Sequence, residues 1–237
     1  KKNIIIENNK SIYYGEFNKE KDVREGRGIQ TWSDGSKFIG YFTNNKPDIK
    51  GIFKHSDGDI YEGEWQNEKA NGKGVYIHND GTKYEGEWKD DKQEGKGKEY
   101  WEDGSIYDGY FKNGKKHGKG VFKWADGASY EGEFKSNNID GHGIYTWSND
   151  RKYIGDWVNN KMEGHGEFLW PDKRRYEGGY VNDKKEGFGK YYWPDGRIYS
   201  GNWKYWKQDE IDEFYNPKTK ETKKGLWKNG IKVKWID

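Results

Sequence analysis

Along most of the chain, aromatic and glycine residues occupy every second position within short runs, and charged residues fill the positions between them. Tyr61-Glu62-Gly63-Glu64-Trp65 is typical. Ring, charge, glycine, charge, ring is the period of two of a half-buried strand, which places Tyr61, Gly63 and Trp65 on one face. A polar stretch, residues 66–71, follows and is expected to be a loop; residues 72–78 then alternate again, with Gly72, Gly74, Tyr76 and His78 on one side. Two alternating runs about a polar segment predict a β-hairpin. With Trp65 paired near Gly72, Gly63 falls opposite Gly74 and Glu64 beside Lys73, and the absent glycine side chains leave room for neighbouring rings.

The hairpin recurs. The first aromatic of each aromatic-x-Gly-x-aromatic run is Tyr13, Phe38, Tyr61, Tyr84, Tyr107, Tyr130, Tyr153, Tyr176 or Tyr199; the first step is 25 residues and the next seven are 23. Most units close on Asp-Gly (Asp34-Gly35, Asp57-Gly58, Asp80-Gly81, Asp103-Gly104, Asp126-Gly127 and Asp195-Gly196). That dipeptide favours tight turns with positive φ, so each hairpin hands on directly to the next. The expected fold class is all-β: an elongated single-layer antiparallel sheet of consecutive hairpins with a C-terminal cap. Residues 1–12 read as an N-terminal lead-in, 13–203 as an array of eight or nine repeats, and 204–237 as a degenerate cap and basic tail. In that last segment Trp206, Ile211, Phe214 and Tyr215 are expected to cover the final hairpin. Two strands per repeat at about 4.8 Å each give a rod on the order of 80–90 Å, stabilised by nearest-neighbour contacts.

The runs YEGEW…GKGVYIHNDGTK, from Tyr61, and YEGEF…GHGIYTWSND, from Tyr130, resemble the MORN (membrane occupation and recognition nexus) repeat, whose pattern is Tyr-x-Gly-x-Trp, then Gly-x-Gly, then an Asp-Gly turn. The resemblance covers about residues 13–203 and implies the same ribbon of hairpins. Departures are local. Repeat two puts Ile49 at the first Gly of Gly-x-Gly and Pro47 in the loop, so a distorted hairpin is expected there. Asn149-Asp150 and Asp172-Lys173 replace Asp-Gly.

Composition alone points the other way. A mean hydropathy of −1.39 with 35% charged residues would by itself suggest disorder. Thirteen Trp, nineteen Tyr and ten Phe reverse that reading, because each ring buries roughly 150–250 Å². Net charge is only +2, so no whole-molecule field is available to hold nucleic acid. There is no cysteine, hence no disulfide, thiolate nucleophile or Cys-based zinc site, and cytosol is compatible. The apolar run Ile4-Ile5-Ile6 is too short for a signal-peptide core, and a chain beginning at Lys1 leads one to expect sequence upstream. With 37 Lys against 6 Arg, the usage hints at an A+T-rich protist genome.

No constellation in the chain points to catalysis. The carboxylate pairs Glu62/Glu64, Glu85/Glu87 and Glu131/Glu133 recur in step with the repeat on one strand face, which suits a solvated, cross-strand-paired surface rather than two acids across a cleft. His55 and His78 stand where sister repeats have Trp; His142 and His165 lie inside Gly-x-Gly, and none has metal-site spacing. The glycine pairs precede no helix that could cradle phosphate, and no nucleophile elbow is present. Neither enzyme activity nor a cofactor or metal is expected.

What remains is surface. Trp101, Trp124, Trp147, Trp170 and Trp193 form one row and are the candidate partner-binding residues, with packing as the alternative role. Local basic clusters occur at Lys112, Lys115, Lys116 and Lys119, at Lys173, Arg174 and Arg175, and at Lys184 and Lys185. The tail lysines Lys218, Lys220, Lys223, Lys224, Lys228, Lys232 and Lys234 are candidate contacts for anionic lipid. Acidic neighbours favour a solvated face for most of these clusters, the tail excepted. The resemblance implies a non-catalytic scaffold for protein–protein interaction, since similar MORN proteins occur in cilia, including radial spoke heads, and in protist cytoskeletal rings. The expected partners are other proteins of an axonemal or cytoskeletal complex, with homodimers a further class; the expected place is the cytoplasm, on the cytoskeleton of a cilium axoneme. A phosphoinositide-binding membrane adaptor and the regulatory segment of a larger enzyme stay open as alternatives.

Overall fold

A computed structural model describes residues 2–6 and 11–236; residues 1, 7–10 and 237, which include part of the lead-in, lie outside the described residues. It divides into two compact units, Lys1–His117 and Gly118–Asp237. The first holds β1 (Lys2–Ile6), β2 (Ile12–Asn18), β3 (Val23–Thr31), β4 (Lys37–Thr43), β5 (Lys46–Lys54), β6 (Ile60–Gln66), β7 (Lys69–Ile77), β8 (Lys83–Lys89), β9 (Lys92–Tyr100) and β10 (Ile106–Lys112). β11 (Lys115–Lys123) spans the boundary. The second unit continues with β12 (Ser129–Lys135), β13 (Asn138–Thr146), β14 (Lys152–Val158), β15 (Lys161–Leu169), β16 (Arg175–Val181), β17 (Lys184–Tyr192), β18 (Ile198–Lys204), β19 (Lys207–Asn216), β20 (Glu221–Lys228) and β21 (Ile231–Ile236). Within each unit, strands consecutive in sequence pair antiparallel, giving an open all-β sheet of hairpins.

Two kinds of turn link the strands. At the Asp-Gly position the glycine is left-handed, as in Gly81 (φ 88°) and Gly127 (φ 90°), and Asp150 (φ 63°) and Lys173 (φ 69°) adopt the same conformation where glycine is missing. Inside each hairpin the polar segment is shorter than expected from sequence. Residues 66–71 are not a loop: Asn67 (φ 50°) and Glu68 (φ 67°) alone make the turn, both left-handed as a tight two-residue hairpin requires, and β7 begins at Lys69.

The short turn changes the register. Gly63 does lie opposite Gly74, but Trp65 faces Ala70, and Gly72 pairs instead with Trp88 of the next hairpin. Between these pairs a bulge sets three residues of β7 against Glu64 alone. Left-handed Gly72 (φ 76°) absorbs the extra length. Glu64 is then held from both sides. Its carbonyl accepts the Tyr61 hydroxyl at 2.9 Å, and its carboxylate accepts the backbone N–H of Lys73, not the lysine ammonium, at 3.2 Å. Ile49 occupies the Gly72 position in repeat two at φ 66°. The hairpin expected to distort keeps its register, Ile49 facing Trp65, so the misfit is confined to one β-branched residue in a costly conformation.

The bulge sits beside the first ring of each repeat, Phe38 included. Tyr13, Phe38, Tyr61, Tyr84, Tyr107, Tyr130, Tyr153, Tyr176 and Tyr199 are all at most 3% exposed. Most of these rings lie on the paired glycines of their hairpin: a Cβ on Gly143 would sit 2.3 Å from the Tyr130 hydroxyl oxygen, and one on Gly166 2.4 Å from the Tyr153 ring; under Tyr199, Gly201 meets Asp212 in place of a second glycine. In eight repeats the tyrosine hydroxyl donates to the carbonyl three residues on, at 2.7–3.2 Å, satisfying the group that the bulge leaves without a ladder partner. Burial raises the hydroxyl pKa of Tyr61, Tyr84, Tyr107, Tyr130, Tyr153 and Tyr176 well above the ordinary value.

Ring contacts then bind repeat to repeat. Tyr61 meets Trp65 edge-on at 5.3 Å in its own hairpin and Trp88 of the next at 5.2 Å; in the second unit Tyr153 meets Trp157 at 5.1 Å and Tyr180 at 5.0 Å, and Tyr199 meets Trp227 at 5.2 Å. Backbone bonds run alongside: the Asp91 carboxylate accepts the Ala70 N–H at 2.7 Å, and its own N–H donates back to the Ala70 carbonyl at 3.1 Å. In the last segment β19–β21 extend the pairing, with Phe214 entering the ring rows while Trp206 and Ile211 are 43% and 57% exposed.

One core position carries a charge. Lys185 is 4% exposed, at the place held by Met162 and Ile139 in the two preceding repeats. Five rings face its ammonium, at centroid distances of 4.2 Å (Tyr176), 4.7 Å (Trp203), 4.9 Å (Trp170), 5.0 Å (Tyr191) and 5.9 Å (Trp206). Burial, with Arg174 nearby, lowers its pKa to about 7. Lys116, its counterpart in the first unit, is instead paired to Glu99 at 2.6 Å.

Two outcomes are expected. Gly143→Ala should destabilise the protein by about 3 kcal/mol, because the packed Tyr130 ring blocks the new methyl, whereas Gly127→Ala, with open space around it, should cost about 1 kcal/mol for its positive φ alone; denaturant midpoints compare them. For Lys185 the folded-state pKa lies below the unfolded one, so its charge penalises folding in full below about pH 7, and the penalty fades as pH rises toward the free-lysine value. Lys185→Met should therefore raise Tm at pH 6.5, by roughly 2–4 kcal/mol of stability after the ring contacts are offset, and the gain should shrink on going to about pH 10. A gain that does not depend on pH would contradict this account of the site.

Candidate interaction surface

Two rows of rings share the glycine face. The buried row is the tyrosine zipper already described. The second row alternates the tryptophan at each Asp-Gly turn with an aromatic two residues before the corresponding turn tryptophan of the next repeat. In the second unit it runs Trp124, Tyr145, Trp147, Phe168, Trp170, Tyr191, Trp193, Phe214, with centroids 4.5–5.9 Å apart. Trp124, Trp147, Trp170 and Trp193 are thus brought together, each half-buried, so part of every indole is packed and part is open. Trp101 is also half-buried but lies in the first unit, where Glu99 stands in place of a ring and the Lys116 ammonium sits 4.7 Å from the Trp101 ring. His55 and His78 substitute for tryptophan in this row as flat rings, 4.5 Å from Phe53 and 4.7 Å from Tyr76.

The basic clusters do not survive as uniform patches. Lys185 is buried among rings, Lys116 is ion-paired, and Arg175 reaches Glu167 at 2.7 Å and Glu177 at 3.6 Å. The tail lysines are all exposed but scattered. Lys218 and Lys220 lie in the turn before β20, Lys223 and Lys224 alternate across that strand, and Lys228 and Lys232 flank the turn at its far end. Lys234 follows on β21. Lys223 also reaches Glu221 at 3.5 Å, and Lys232 stacks on Trp235 at 3.8 Å.

Three arginines, of which sequence reasoning named only Arg174 and that as part of a basic cluster, belong to the tryptophan row. Arg151, Arg174 and Arg197 lie over Trp147, Trp170 and Trp193, 5.7, 5.5 and 5.3 Å from the ring centroids. Their Nε groups donate to Asn149 (3.0 Å), Asp172 (2.6 Å) and Asp195 (2.8 Å). The signal was present: Trp-x-x-x-Arg recurs at the repeat period in three successive turns. On the opposite face polar side chains pair across strands, as Lys98 with Asp108 at 2.9 Å and His142 with Asp156 at 3.0 Å. Among the described residues no group of three His, Cys, Asp or Glu is placed to hold a metal.

The repeats match the family model of the MORN repeat at residues 13–37, 61–83, 84–106, 107–129, 130–150, 153–173 and 176–196. No curated protein matches the sequence. Among solved structures, the wild-type TCP10 domain of Danio rerio CPAP is similar at 10% identity with a TM-score of 0.47, over 84% of this chain and 94% of that one. The Drosophila melanogaster SAS-4 TCP domain, solved in complex with a proline-rich motif of Ana2, is similar at 17% identity with a TM-score of 0.37, over 73% and 88%. These likenesses are too loose to bear on function. The seven matched repeats span more than half of the sequence, and with their tyrosines, glycine pairs and turns seated as described, the chain belongs to the MORN-repeat family.

Proposed function

We propose that this MORN-repeat chain is a non-catalytic scaffold that docks other proteins along its tryptophan row, within a ciliary axoneme of the radial-spoke kind or a protist cytoskeletal assembly. Repeat arrays of this family serve protein or membrane interaction, and the observation that favours a protein partner here is the row itself. Four half-open indoles recur at one-repeat pitch in the second unit, a surface on which contacts over several repeats add without a deep pocket. The scattering of the tail lysines favours protein over lipid, because an anionic bilayer is held best by charges gathered on one side. The family resemblance supports the cytoskeletal setting and with it a cytoplasmic location.

The test is affinity isolation of the tagged full-length protein from its own cells in mild salt, with mass spectrometry of what accompanies it. Stoichiometric axonemal or cortical proteins are the expected result. Recovery with membrane lipid and no fixed protein partner would overturn the scaffold in favour of a membrane adaptor.

A further inference from the structure

The turns that carry the tryptophan row differ in charge between the two units. In the first unit, residues 32–36, 55–59, 78–82 and 101–105 contain six acids (Asp34, Asp57, Asp59, Asp80, Glu102 and Asp103) and no Lys or Arg. In the second, residues 124–128, 147–151, 170–174, 193–197 and 217–220 contain six cations (Arg151, Lys173, Arg174, Arg197, Lys218 and Lys220) against four acids. The whole chain is nearly neutral, so this rim is a local field and not a share of a general one.

Its arginines are ordered before any partner arrives. Arg151, Arg174 and Arg197 each lie with one face over an indole and with Nε tied to the Asn or Asp two residues earlier. Arg174 is also near the Tyr191 hydroxyl. With face and Nε engaged, and Arg174 also bonded to the Tyr191 hydroxyl, the remaining Nη–H groups are the part of each guanidinium left to meet an incoming carboxylate. Little side-chain freedom remains to be lost on binding.

Spacing selects the shape of the partner. Successive arginines are one repeat apart, two strands or about 9.6 Å. Three residues of a polyproline II chain advance by about 9.3 Å and make one turn, which returns every third side chain to the same side. We infer that the turn rim of the second unit is a docking site for an acidic polypeptide in polyproline II form that carries a carboxylate at every third residue and crosses the strands along the Trp147, Trp170 and Trp193 row. The first unit's turns, acidic and without arginine, repel the same segment. This inference rests on the reading of the tryptophan row as a protein-docking surface and adds the chemistry of its partner.

The experiment uses the full chain and a labelled synthetic peptide of about twelve residues, long enough to span three arginines, with Glu at every third position. Its isomer of the same composition has the Glu residues in one block, and vesicles containing phosphatidylserine form a third arm. In low salt the periodic peptide should bind about tenfold tighter than the block isomer, and the variant Arg151→Gln/Arg174→Gln/Arg197→Gln, whose side chains are surface groups, should lose that preference with Tm unchanged. Equal binding of the two peptides sinks the idea, as does a variant that binds like the native chain, or binding to vesicles with none to either peptide. Running the same variant through the cellular isolation separates the two readings. Protein partners retained on the variant refute the arginine rim and leave the scaffold standing, whereas a native chain with no protein partner refutes the scaffold itself.

Discussion

Everything in this molecule depends on seating a whole tyrosine ring on bare backbone. A sheet one layer thick has no second layer to cover its apolar face, so each repeat must make its core from its own rings. The glycine pair under the tyrosine provides the space, since a Cβ at either position would fall within about 2.7 Å of the ring or the facing backbone. The tyrosine in turn settles a backbone cost. The bulge beside the glycine pair leaves a carbonyl without a ladder partner, and the phenol hydroxyl takes it. Ring, glycine pair, bulge and left-handed glycine are therefore one device.

That device explains how a chain with such low mean hydropathy folds. Apolar burial is concentrated in rings that contact the next repeat edge-on, and turn carboxylates and amides tie each hairpin to the one before it. Stability of this kind is carried by neighbours, so single misfits are tolerated where they stay local. Ile49 shows it, holding a left-handed conformation without disturbing the register around it. Lys185 shows it as well, an ammonium that five aromatic rings enclose where the two preceding repeats place an alkyl or thioether chain.

The fold was legible in the sequence because its determinants are local and recur: the period of two, the 23-residue step and the Asp-Gly turns each speak for one element. The facing of Gly63 and Gly74 followed from the same pattern. The bulge was not legible, because alternation on either side of it continues and nothing in a polar hexapeptide says that only Asn67 and Glu68 turn. Of the surface, the tryptophans of the second unit could be read as one row, and their half-burial fits both roles considered for them. Clusters of lysine misled, since neighbours in sequence alternate between faces: Lys184 is exposed while Lys185 lies in the core. The arginines stacked on Trp147, Trp170 and Trp193 were visible only as a second, fainter periodicity.

The claim that buried phenols anchor eight of the nine repeats is tested most directly by an alkaline titration of the nineteen tyrosines, following phenolate absorbance and circular dichroism together. With the eight repeat tyrosines buried and bonded to carbonyls, and with Tyr76, Tyr145 and Tyr180 also raised by burial, fewer than half should ionise by about pH 11 while the β signal persists, and the rest should ionise only as that signal is lost. If all nineteen ionise in one transition near the ordinary phenol value with the β signal intact, the rings are not seated on the glycine pairs and the account of the fold is wrong.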